Sequence, residues 1–238
     1  MRRPPDLLVR AAHCYEQTGD HAQAARCHEE AGHPLRAAEL WEQAGDPVRA
    51  ADCWLRARRP ARAGECLLSA QRYEEAAACF EQGGDLLNAG WILVTRTRSF
   101  ATAEQLFAVA PARSAGERLR GRLGRHLAAA RAYGEHDALL STLADVAERM
   151  GSLSPARERA ETETWAVTAA DHVRRPDLGA LVFAASYRAG VPGCADRWQH
   201  WAARVLGDTT GVPAAAAAPG VGADADARRH QLRTPGDP

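Results

Sequence analysis

The chain has 238 residues, enough for one large domain or two small ones. Its 30 basic and 30 acidic side chains cancel, so the whole molecule has no positive field to gather nucleic acid or an anionic membrane. Hydrophobic residues reach 46% with aromatics at only 6%, which leaves Ala, the best helix former, to carry much of the apolar work and points to an all-α fold.

Every basic residue is Arg, which fits the genome composition of a high-GC bacterium better than a binding signal. Met1-Arg2-Arg3-Pro4-Pro5 has the charge of a signal peptide, but Leu7-Leu8-Val9 is cut off by Arg10 and His13. No apolar run approaches the roughly 20 residues needed to cross a bilayer. The expectation is a cytoplasmic chain with its six Cys reduced.

From residue 6 to 110 the sequence repeats every 13 residues. Small pairs recur at Ala11-Ala12, Ala24-Ala25, Ala37-Ala38, Ala50-Ala51, Ala63-Gly64, Ala76-Ala77 and Ala89-Gly90. Three places after each first Ala stands Cys14, Cys27, Leu40, Cys53, Cys66, Cys79 or Ile92, and then a bulkier residue: Tyr15, His28, Trp41, Trp54, Leu67, Phe80 or Leu93. An eighth copy, after a one-residue insertion, has Ala103, Leu106 and Phe107. Offsets of 0, 3, 4 and 7 mark one face of a helix. Gly19-Asp20, Gly45-Asp46 and Gly84-Asp85 supply a left-handed stop and an N-cap, and Pro34, Pro47 and Pro60 fall at first helical positions. Each unit therefore reads as one helix of about 11 residues joined to the next by a tight reversal. Helices this short are marginal alone, so eight in a row predict an α-solenoid of short antiparallel helices.

The stretches Ala24-Ala-Arg-Cys-His-Glu-Glu-Ala-Gly32, Ala37-Ala-Glu-Leu-Trp-Glu-Gln-Ala-Gly-Asp46 and Ala76-Ala-Ala-Cys-Phe-Glu-Gln-Gly-Gly-Asp85 resemble tetratricopeptide-like (TPR-like) repeats. The likeness is to the short-period variety of coat, intraflagellar-transport and SNAP-type solenoids, and it covers under half the chain. It implies a scaffold for protein partners and carries over no binding residue.

Beyond Pro111 the period is lost and the helices lengthen. Residues 111–207 predict a helical extension that caps the solenoid, or a separate bundle: a helix over 114–132, one from Asp137 to Gly151, one opened by Ser154-Pro155, one from Pro176 to Gly190 and one from Pro192 to Gly207. Residues 208–238, rich in Ala, Gly and Pro, read as a disordered tail.

The 13-residue Cys spacing is that of the repeat, and Leu40 and Ile92 share the slot, so these Cys read as core residues and no metal site or cofactor is expected. Cys194, at a helix start, is the least implausible reactive thiol. Among the Trp residues, Trp41 and Trp54 share the bulky slot, whereas Trp198 and Trp201, one turn apart, are candidate partner anchors. Arg36, Arg49 and Arg62 each stand three before an acid, Glu39, Asp52 and Glu65; these pairs are the other candidate partner-binding residues. No phosphate loop, G-x-S-x-G elbow or H-E-x-x-H is present, and no small-molecule substrate or catalytic residue is suggested. The expected function is a protein–protein interaction scaffold. The alternatives are a nucleic-acid-binding helical repeat, disfavoured by the near-neutral array, and a regulatory subunit recruiting an enzyme encoded nearby.

Overall fold

The computed structural model describes residues 5–207, and the expected tail 208–238 lies outside them. Among the described residues there are helices and no strands. The repeats form α1 (Pro5–Thr18), α2 (His21–Glu30), α3 (Pro34–Gln43), α4 (Pro47–Arg56), α5 (Pro60–Ser69), α6 (Tyr73–Gln82), α7 (Leu86–Arg96) and α8 (Phe100–Val109). Each packs on the helix before and after it, giving an all-α, solenoid-like array.

The turn between units explains the register. Gly45 takes φ of 75° just past α3, its N–H bonding Glu42 O, while Asp46 N–H bonds Trp41 O. This double closure satisfies the last carbonyls of α3. The Asp46 carboxylate also accepts the Arg49 N–H and so caps α4. Gly19-Asp20 and Gly84-Asp85 repeat the arrangement, with Asp20 and Asp85 accepting from Gln23 and Asn88. At two turns the left-handed position is held by Arg58 (φ 57°) and Gln71 (φ 59°), where a Cβ is disfavoured.

The small pairs are buried from α2 to α7, and so are Leu40, Cys53, Cys66, Cys79 and Ile92 in the slot three places on. The first units differ from expectation. Cys14 is exposed, Cys27 is half-buried and Tyr15 is 39% exposed.

Slot sizes are matched across neighbours. Where the next helix presents Phe80 or Phe107, the facing small pair ends in Gly instead of Ala. A Cβ on Gly64 would lie 2.7 Å from the Phe80 ring, and one on Gly90 would lie 3.0 Å from Phe107.

Past residue 110 the chain forms α9 (Ala115–Tyr133), α10 (Asp137–Arg149), a 3-10 turn (Met150–Ser152), α11 (Ala156–His172), α12 (Pro176–Arg188) and α13 (Cys194–Val205). Ser114 and Glu117 form a reciprocal capping box at the start of α9. Pro155 is the N-cap residue of α11, one place earlier than the expected first helical turn. The last helix begins at Cys194, after Gly193 in the left-handed region, instead of at Pro192. The array's own turn returns here: Arg174 (φ 56°) and Gly190 (φ 64°) stop α11 and α12 with the same pair of backbone bonds.

α9 packs on both α7 and α8, and α11 packs on α9. Phe107 of α8 is the pivot, wedged so tightly against Gly124 of α9 that a Cβ there would overlap its ring. Trp91 of α7 stacks on Trp165 of α11 with centroids 4.1 Å apart and planes at 9°. One apolar core runs from Ala77 to Ala202 and so joins α6–α8 to the C-terminal helices, while a second core serves the array from Ala24 to Cys79.

Candidate functional site

Folding α11 back beside α7 leaves a cleft of about 1190 Å³ between the edge of the array and the α11–α13 layer. Its floor comes from Leu68, Tyr73, Trp91 and Ile92, its far wall from Thr164 and Thr168 of α11 and Val205 of α13. Leu68 is the position where α1, α2 and α3 carry Glu16, Glu29 and Glu42 and α4 carries Leu55.

Charge at the rim is cationic. Arg96, Arg174, Arg175 and Arg204 line it against one carboxylate, Asp171. Arg204 is bound to Asp171 at 2.9 Å and Arg175 to Asp177 at 2.7 Å. Arg96 and Arg174 make no ion pair among the described residues; Arg96 lies over the Tyr73 ring at 5.9 Å. His172, half-buried in the same wall, has its pKa lowered, first by burial and then by the charge of Arg131, with Arg96 adding to it against the opposing pull of Asp171. Two of the three non-glycine residues held in the left-handed region, Gln71 and Arg174, sit on this rim. Strain of this kind concentrates at functional positions.

The residues singled out from sequence fall in two other places. Trp198 and Trp201 are 3% and 4% exposed and close against Phe183, so they are core residues and not surface anchors. Two apolar rings one turn apart on a terminal helix face its packing partner. Trp201 also donates its indole N–H to Asp171 at 2.8 Å, which holds the carboxylate that binds Arg204.

Arg36–Glu39 and Arg62–Glu65 pair as expected, at 2.9 and 2.8 Å. Arg49 does not reach Asp52: it turns back to the cap residue Asp46 at 3.3 Å and lies over the Trp41 ring at 4.7 Å, because the capping carboxylate is the nearer anion. These charges also serve a ladder that the spacing alone did not suggest. Glu16 binds His28 and Arg36; Glu42 binds Trp54 and Arg62, so each carboxylate of one helix ties the next two helices together. Glu29 of α2 differs: both its partners, Cys53 and Arg56, belong to α4. The recurrence of Glu at 16, 29 and 42 was the available signal. These Arg residues are thus occupied in holding the array.

Cys194 is buried and its thiol is pushed up to about 12 by desolvation, with Glu163 nearby adding to the effect, which disfavours a reactive thiolate. Among the described residues no three His, Cys, Asp or Glu side chains converge as metal ligands, and no helix is long and apolar enough to cross a membrane. Comparison with known proteins gives no match to a family model, a curated protein or a solved structure.

Proposed function

We propose that the chain is a non-enzymatic, TPR-like scaffold of the bacterial cytoplasm that holds a partner protein by a segment lying in the cleft between the array and α11–α13. The carrying observation is the cleft itself: an apolar, aromatic floor inside a polar rim, at about 1190 Å³ larger than the roughly 300–1,000 Å³ of ordinary small-molecule pockets. Shape and lining suit a stretch of polypeptide with apolar side chains directed inward. Recruitment of an enzyme encoded nearby is one form such a role takes.

A helical-repeat nucleic-acid binder is the second reading, favoured by the arginines of the rim. It is weakened by the balance of 30 basic and 30 acidic residues, because nucleic-acid affinity draws on many cationic contacts at once.

Site-specific photocrosslinking in the native host tests the reading. A photoreactive residue at Thr168, inside the cleft, is expected to capture a small, reproducible set of proteins that the same residue at exposed Arg26 of α2 does not. Equal adduct patterns from both positions, or adducts to RNA alone, would overturn it.

A further inference from the structure

We infer that the cleft selects an acidic, amphipathic segment of its partner, carboxylates meeting Arg96 and Arg174 while apolar side chains rest on Tyr73, Trp91 and Ile92. This rests on the cleft being the partner site. Three observations bear on the chemistry of the occupant.

The first is the balance of charge inside the cleft. Arg175 and Arg204 are already neutralised by Asp177 and Asp171, which leaves Arg96 and Arg174 as cations without an acid. Desolvating them beneath a neutral or basic segment is costly, whereas a carboxylate supplies the missing partner.

The second is the floor. Trp91 gives one face to Trp165 and Tyr73 gives one to Arg96, so the rings are already engaged in holding the wall. Leu68 and Ile92 beside them make the floor aliphatic as much as aromatic. That lining suits Leu-like side chains better than a run of stacked bases, which needs successive open ring faces.

The third is Arg174 itself. It occupies the left-handed turn position filled by Gly at 19, 32, 45, 84 and 190 in this chain. Arg58 and Gln71 hold the same position at two other turns, but of the two arginines only Arg174 lines the cleft, where it keeps a charge at a place Gly would occupy with less strain.

Fluorescence anisotropy with the full chain gives the test. The probes are a labelled peptide of repeated Glu-Glu-Leu units, its twin with Lys for Glu, and a labelled oligothymidylate. The acidic peptide is expected to bind with an affinity that falls as salt rises, the Lys twin at least about tenfold more weakly. Arg96→Glu and Arg174→Glu should each weaken the acidic peptide by about tenfold, and Arg26→Glu should not. Arg174→Gly separates binding from folding: it should unfold at a higher denaturant concentration and yet bind less tightly. Failure of the acidic peptide to bind, equal affinity for the Lys twin, tighter binding of oligothymidylate, or indifference to the Arg substitutions would each overturn the inference. If crosslinks from Thr168 to proteins persist under any of these outcomes, the acidic chemistry falls and the scaffold reading stands; if they vanish too, both fall.

Discussion

Glu16 and Glu42 stand 26 residues apart and make the same pair of contacts. Each reaches the residue 12 places on, His28 or Trp54, at 3.0 or 2.6 Å, and each binds the guanidinium 20 places on, Arg36 or Arg62. The repeat read from sequence is one helix of 13 residues; the repeat of this ladder is two. A carboxylate that spans two helix interfaces fixes the angle between helices as well as their contact.

Glu42→Ala should therefore destabilise the chain by about 1–2 kcal/mol, because it leaves the Trp54 indole N–H without an acceptor and Arg62 with only Glu65. Glu42→Gln keeps an acceptor for the indole and should lose less. Urea unfolding followed by helical circular dichroism distinguishes the two; equal losses would mean that the ion pair, not the indole bond, carries the effect.

Packing at the pivot between the halves gives a sharper case. Gly124→Ala places a methyl group into the Phe107 ring and should cost about 1–3 kcal/mol, although Ala is the better helix former. Phe107→Leu opens space there, so the double variant should be more stable than the sum of the two single losses predicts. Strict additivity in a double-mutant cycle would contradict the wedge.

Thiol chemistry should follow burial along the array. Cys53 and Cys66 are pushed up to about 12, first by desolvation and then by the carboxylates of Glu29 and Glu42 that accept their S–H bonds. At mildly alkaline pH iodoacetamide should label exposed Cys14 first and half-buried Cys27 more slowly. Cys53, Cys66, Cys79 and Cys194 should react only after denaturation, which peptide mass mapping reads directly. The raised thiols have a stability consequence as well. An unfolded chain loses those protons from about pH 9 upward while the folded chain keeps them, so stability holds below that value and declines as pH rises toward 12.

Acid should weaken the fold in two stages. His126 and His172 have pKa values below the ordinary 6.5, both chiefly through burial, with Arg125 and Arg122 acting on the first and Arg131 on the second. The unfolded chain then binds more protons than the folded one, so stability is full above about 6.5 and falls as pH drops through that value toward the lowered ones. Glu16, held below 4.5 mainly by its bond to Arg36, adds a second loss as pH falls through its lowered value. Replacing both His126 and His172 by Gln should flatten the first stage and leave the second; melting temperatures across the acid range measure it.

The array was legible because its information is local. Ala pairs, the bulky slot and the Gly-Asp stops all act within one helix or across one turn, and a strict period repeats the message. Arg49 shows where locality misleads: Asp52 is at helical spacing, but the cap residue Asp46 is equally close in sequence and better placed. Cys14 shows a second limit, since its slot has the composition of the buried ones and yet is exposed. The cleft was not legible at all. It depends on α9 doubling back over α7 and α8, and that path follows the fit of Phe107 to Gly124, a pairing that no periodicity announces. Trp198 and Trp201 were ambiguous for the same reason, because their partner Phe183 belongs to a helix outside the repeat.

The division into two cores gives the molecule a soft end and a hard end. α1 packs on α2 and is tied to α3 through Glu16 and Arg36, whereas α7 is gripped by α6, α8 and α9 and braced by the Trp91–Trp165 stack. Amide exchange should be quickest at α1 and slow progressively toward the pivot, so the array can fray from its first helix, or be trimmed there by a protease, while the walls of the cleft stay assembled.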